Sequence, residues 1–163
     1  MPSAFCCGKS GGGCVFGNDD GLNEILDRCK QADGFVFGSP VYYASANGTM
    51  ISFMDRLFYA GAAALSHKPS AVIASARRAG TTATLDELNK YLTINQMPVA
   101  SSTYWNMVHG SCAEDVKKDA EGLQTMRNLA KNLAWLLKCV QAGKDAGIAP
   151  PSPERDHRTN FIR

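Results

Sequence analysis

Two short apolar runs set the main constraint on how this chain can fold: Phe35, Val36 and Phe37 between Gly34 and Gly38, and residues 71–76 ahead of Arg77. Neither alternates apolar with polar residues, so each reads as a buried strand of the kind found in parallel sheets. Around them the spacing becomes helical. Leu22, Ile25, Leu26 and Cys29 line one face of a helix that Asp19 or Asp20 can cap and that Asp33 and Gly34 stop. Met50, Phe53, Met54, Leu57 and Phe58 repeat in the same way, and Thr84 opens a third helix with Leu85, Leu88, Tyr91 and Leu92 inside. Residues 97–101 form a weaker strand, because Pro98 lacks a donor and belongs at a strand start or edge. Residues 113–142 predict one long amphipathic helix, with Val116, Ala120, Leu123, Met126, Ala130, Leu133, Leu137 and Val140 as its apolar stripe. This alternation predicts an α/β fold, a parallel sheet with helices on both faces.

With 163 residues the chain suits one core, read here as a domain over 1–143 followed by a flexible, proline-rich and charged tail over 144–163. A net charge of +2 is too slight to call for nucleic acid or an anionic membrane as partner. No apolar run approaches the roughly eighteen residues of a membrane span, and the first residues lack a leader pattern. The six cysteines are not spaced as a disulfide framework, which favours reducing cytoplasm.

Parallel sheets bind ligands at the carboxyl ends of their strands. Two polar loops, residues 39–48 and 77–82, follow strands at that edge and should lie side by side. Their sequences carry a resemblance. The string GSPVYYASANGTM from Gly38 to Met50, followed by FMDR at Phe53 to Arg56, resembles the second flavin loop of the flavodoxin-like NADPH-dependent FMN reductases, and within them the subgroup related to iron–sulfur flavoproteins. ARRAG at Ala76 to Gly80 resembles that family's third flavin loop. STYWNM at Ser102 to Met107 is similar to a segment that follows its last strand. The likeness covers residues 6 to 140 and implies a flavodoxin-like three-layer sandwich.

The chain departs from the family in two places. The first strand, the phosphate-binding loop with its helix, and the second strand have no counterpart here. That strand–helix–strand unit normally supplies helix N–H groups to the FMN phosphate and puts a strand beside residues 34–38, whose edge is therefore exposed unless another chain covers it. The other departure concerns iron. Against a C-x-x-C-x-x-C run with one further cysteine, Cys7 and Cys14 match while Ala4 and Ser10 do not, and Cys6 is extra. A four-iron cluster usually takes four thiolates, so the front cysteines read as free thiols. Zinc held by them and a distant histidine has no spacing to recommend it.

The resemblance implies an FMN-dependent oxidoreductase using NAD(P)H as electron donor, and contacts to flavin from Pro40, Val41, Tyr42, Tyr43, Asn47, Gly48, Met50, Ala76, Arg77, Arg78 and Gly80. Tyr42 or Tyr43 would lie against the ring face, and Arg77 or Arg78 would stabilise the anionic reduced ring. Ser39, Lys9 or a partner subunit would have to replace the missing phosphate donors.

Plainer roles exist for each. The tyrosines can simply cover a strand end, and an arginine pair after a strand can be a solvated turn. Asp55 and Arg56 read as a surface or interface ion pair, and Trp105 as core, interface or pocket rim. His67, His109 and His157 have no carboxylate or cysteine at ligand spacing. Ser39 is not in a nucleophile elbow, and the glycine run 11–13 is not a phosphate loop. The alternative function is a non-catalytic oligomerisation or interaction module on the same fold. A homo-oligomer is expected either way, because the long helix and the uncovered strand need burial.

Overall fold

The computed structural model describes residues 13–17, 19–157 and 159. Four strands, β1 (Phe35–Tyr42), β2 (Ser45–Ala46), β3 (Ser70–Ala76) and β4 (Met107–His109), form one sheet in the order β2-β1-β3-β4. β1 and β3 run parallel, with Phe35 opposite Ser70 and Pro40 opposite Ser75. β4 continues parallel to β3, Ala74 facing Met107, and β2 folds back antiparallel on the end of β1. The helices are α1 (Leu22–Gln31), α2 (Gly48–Leu65), α3 (Thr81–Ile94), the short α4 (Ala113–Val116) and α5 (Ala120–Asp145).

The sheet face carrying Phe37, Val72 and Ala74 packs against Leu26, Met54, Leu57, Phe58, Leu88 and Leu92 of the first three helices. α1 and α2 meet closely because position 61 is glycine: a Cβ there would stand 2.2 Å from the Leu26 Cδ1. The opposite face, carrying Ala71 and Ile73, is covered by Met126, Leu129, Leu133 and Leu136 of α5. The three layers and the parallel sheet are those of the flavodoxin-like sandwich expected from the sequence.

β1 departs from the expectation of burial on both faces. Val36 shares the face of its register partner Ala71 yet is 53% exposed, because α5 lies over β3 and leaves β1 open. Its outer edge is open as well. Phe35 donates its N–H to the Pro69 carbonyl at 3.1 Å, so by the alternation of a parallel ladder Val36 and Gly38 turn their N–H groups away from β3. Among the described residues only β2 pairs on that side, and it reaches only Val41 and Tyr42.

Three further elements differ from the sequence reading. Residues 97–101 form no strand: Val99 makes a single bridge to Ser70, whose N–H and C=O are taken by Pro98 and Ala100 at 2.9 and 2.8 Å. The chain then leaves the ladder and returns as β4, so the Ser102–Met107 segment leads into the last strand instead of following it. The side-chain amide of Asn106 spans the gap by donating to the Val72 carbonyl at 3.0 Å. α3 begins at Thr81, three residues earlier than its apolar spacing indicates, because Gly80 adopts φ 92° just before it. The long helix breaks after Val116 and restarts at Ala120, where the Asp119 carboxylate accepts the Gly122 N–H at 2.9 Å. Its buried positions are Gly122, Thr125 and Leu129, and Ala120 and Ala130 point to solvent. Beyond Asp145 the described residues form no helix or strand. No helix among them is long and apolar enough to cross a membrane.

Candidate functional site

What reads in sequence as a ten-residue loop is the end of a strand and a tight hairpin. β1 carries Ser39, Pro40 and Val41 up to Tyr42, and the chain reverses through Tyr43 and Ala44 into β2. Both turn residues are left-handed, at φ 52° and 60°. That matches the twist of a two-residue hairpin, but it costs side-chain-bearing residues about 1 kcal/mol or more each. Tyr43 projects fully into solvent and Tyr42 is exposed beside it.

Three contacts hold this strained tip. Ser39, buried, donates its hydroxyl to the Pro40 carbonyl and accepts the Asn47 N–H, both at 2.8 Å. The Glu87 carboxylate on α3 accepts the Ser45 hydroxyl at 2.7 Å and the Ala46 N–H at 2.9 Å. These two donors hold the Glu87 carboxyl below the usual carboxylate range. Beneath the turn lies Gly80, where a Cβ would stand 2.7 Å from the Ala44 Cα and 2.8 Å from the Val41 Cγ1. The two loops thus touch, as their positions after adjacent strands require.

The second loop leaves β3 at the buried Ala76 and exposes Arg77 and Arg78 before α3. No side chain caps α3, so its first-turn N–H groups and the two guanidiniums form an electropositive end beside the hairpin. α2 differs: Asn47 Oδ1 accepts the N–H groups of Thr49 and Met50 at 2.9 and 3.3 Å. Asn47 is therefore occupied as a helix cap, and Met50 packs against the core. Gly48 is exposed, with open space where a Cβ would be. The Ser39 hydroxyl is committed inside the hairpin, and Lys9 lies outside the described residues.

The donor set fits the ring end of FMN: exposed aromatics, a backbone turn, and cationic groups for a developing negative charge. The α2 terminus, already capped by Asn47, offers little to a phosphate, and the uncapped α3 terminus is the one left for an anionic group.

Several side chains of this region carry no local signal in sequence. Glu87 looks like an ordinary surface charge, and its partners lie more than forty positions away. Arg56 does not pair with Asp55. It bonds to Asp20 and donates to the Cys14 thiol at 3.1 Å, with its guanidinium 4.9 Å from the Phe16 ring centroid. Asp55 instead accepts from the Tyr91 hydroxyl. Tyr104 and Trp105 stack edge-on at 4.9 Å and are exposed. His109 Nδ1 lies 3.8 Å from the Asp119 carboxylate, while His67 adopts φ 61° in a turn and His157 is exposed. Among the described residues no three His, Cys, Asp or Glu side chains gather as metal ligands. Cys6 and Cys7 lie outside those residues.

The mostly parallel sheet, covered by helices on both faces with its two loops at one edge, defines a flavodoxin-like protein. Residues 2–111 match the family model of the NADPH-dependent FMN reductases, and the chain belongs to that family. An iron-sulfur flavoprotein of Methanocaldococcus jannaschii is 30% identical over 130 residues, spanning 75% of this chain and 67% of that protein. Among solved structures, the Trp repressor binding protein of Bacillus subtilis superposes with TM-score 0.56 at 20% identity, over 64% of this chain and 67% of that one. A WrbA-like flavodoxin from Agrobacterium tumefaciens gives 0.51 at 16%, over 70% and 78%. These structural likenesses speak for the fold. Family membership places the chain among FMN-dependent oxidoreductases.

Proposed function

We propose that this chain binds FMN at the edge formed by the hairpin and the Arg77–Gly80 loop, takes electrons from NAD(P)H and passes them to a small or protein acceptor. One observation carries the reading: a strained turn with exposed Tyr42 and Tyr43 is held directly against Gly80, beside two arginines and an uncapped helix start. Bound FMN supplies the hydride acceptance and release. The chain's residues do the rest. Tyr43 or Tyr42 covers one face of the ring and keeps water off it. Backbone groups of the turn, together with Val41, Pro40 and Gly48, fix the ring edge. Arg77 or Arg78 and the α3 terminus stabilise negative charge on the reduced ring.

Ala76 and Gly80 set the height of the second loop, and Asn47 and Met50 anchor the first. Ser39 acts by closing the hairpin, so the phosphate needs donors from elsewhere, Lys9 or a partner subunit. In this reading the domain is 1–143 with the tail 144–163 outside it, the protein is a cytoplasmic homo-oligomer, and neither nucleic acid nor membrane is a partner. No iron–sulfur cluster is included, because three front cysteines fall short of the usual four thiolates.

The open edge and face of β1 favour a second reading, an interaction module that uses the sheet edge and binds no flavin. Anaerobic addition of NADPH, then NADH, to the FMN-loaded protein separates the two. Bleaching of the flavin's visible band, and its return when a quinone is added, supports the oxidoreductase. An unbleached flavin in a folded protein contradicts it.

A further inference from the structure

We infer that Glu87 is the positioning residue of the flavin site: it holds the 41–47 hairpin in its strained, ring-ready form without touching the ring itself. The inference rests on the FMN reading above and adds a residue that none of the loop motifs contains.

The geometry behind it is specific. One carboxylate oxygen of Glu87 takes both the Ser45 hydroxyl at 2.7 Å and the Ala46 N–H at 2.9 Å. Ser45 and Ala46 are the two residues of β2 and directly follow the left-handed pair Tyr43 and Ala44. The β2 ladder itself has only two residue pairs, Val41 with Ala46 and Tyr42 with Ser45, beside the burial of Ala46 and the Ser39 bond to the Asn47 N–H. A ladder that short cannot by itself hold two side-chain-bearing residues in the left-handed region. Glu87 supplies charge-assisted bonds from a helix that is itself fixed in the core by Leu85, Leu88 and Leu92. The same helix starts just after Gly80, which lies under Ala44. α3 therefore grips the hairpin at two points, from below through Gly80 and from the side through Glu87. Ala46, the residue whose N–H it takes, is buried, so water is poorly placed to substitute for the carboxylate. The consequence is that the backbone carrying Tyr42 and Tyr43, three and two residues before Ser45, is held in one conformation.

Two substitutions separate positioning from bulk stability. Glu87→Ala removes the acceptor. Glu87→Gln keeps the length, and its amide oxygen in the place of that carboxylate oxygen accepts both the Ser45 hydroxyl and the Ala46 N–H. Wild type, E87A and E87Q are compared by amide hydrogen exchange over residues 41–47, by FMN titration, and by the residual fluorescence of FMN at saturation, which an ordered tyrosine on the ring quenches. The expected result is loss of protection at Ala46 in E87A, FMN affinity lower by about tenfold to a hundredfold, and brighter bound flavin, with E87Q restored to near wild type on all three. E87A binding and quenching FMN as wild type does would overturn the inference while leaving the FMN reading intact. Failure of wild type itself to bind FMN would overturn the reading and this role with it, and unchanged protection at Ala46 in E87A would remove the clamp on its own.

Discussion

Gly80 and Ala44 are in contact across the two loops of the site: a Cβ on Gly80 would fall 2.7 Å from the Ala44 Cα. Gly80 is also at φ 92°, where side-chain-bearing residues are strained. Glycine at this position therefore both starts α3 and lets the hairpin settle onto the second loop. Gly80→Ala must move the turn or distort the helix start, at about 1–3 kcal/mol. Thermal unfolding should shift down accordingly, and FMN binding should weaken by more than the shift in stability explains. Unchanged FMN affinity in G80A would separate this contact from the ring site.

Thr84 is fully buried on α3, and its hydroxyl has no hydrogen-bond partner. Replacing it with a residue of the same shape removes an unpaid desolvation cost. Thr84→Val should raise stability by about 1 kcal/mol in denaturant titration. A less stable T84V would mean the hydroxyl is satisfied in solution.

Asp119 joins β4 to α5, accepting the His109 N–H at 2.7 Å and the Gly122 N–H at 2.9 Å. Gly122 first and His109 second hold its carboxyl below the ordinary value of 3.8. A carboxyl depressed in the folded state adds stability that is complete above the unfolded value and fades as pH falls through the folded one. Asp119→Ala should therefore cost about 1–2 kcal/mol near neutral pH. The gap between wild type and D119A should narrow as the pH falls below 3.8. A gap independent of pH would assign the loss to packing.

The parts of the fold that rest on continuous or periodic apolar residues were legible in the sequence: β1 and β3, the inner faces of α1 to α3 except for Ile25, which is exposed at the edge of its stripe, and the nearness of the two loops. What was not legible depends on partners distant in sequence. Pro98 and Val99 carry a strand pattern, but Ser70 accepts only one bridge there. The ladder resumes at Met107 because the Asn106 amide fills the Val72 carbonyl, a contact that three residues of strand cannot announce. Val36 looked buried because it is apolar, and it is open because α5 covers Ala71 and Ile73 of β3 and reaches the β1 side only at Asp33 and Gly34. The loops carrying Tyr42, Tyr43, Arg77, Arg78 and Gly80 were singled out through their motifs, and the structure brings these loops together. Glu87 and the Arg56 bridge to Asp20 and Cys14 were not, since either side chain alone resembles ordinary helix-surface charge.

A fluorescence titration of the purified chain with FMN, and with riboflavin as the phosphate-free control, bears most directly on the ring site proposed between the hairpin and the Arg77–Gly80 loop. Binding and quenching of both flavins, with Arg77→Ala and Tyr43→Ala each weakening both, is the expected result. Tighter binding of FMN than of riboflavin would add a phosphate grip from donors outside the hairpin. A folded chain that binds neither flavin would contradict the ring site and leave the β1 edge as the working surface of an interaction module.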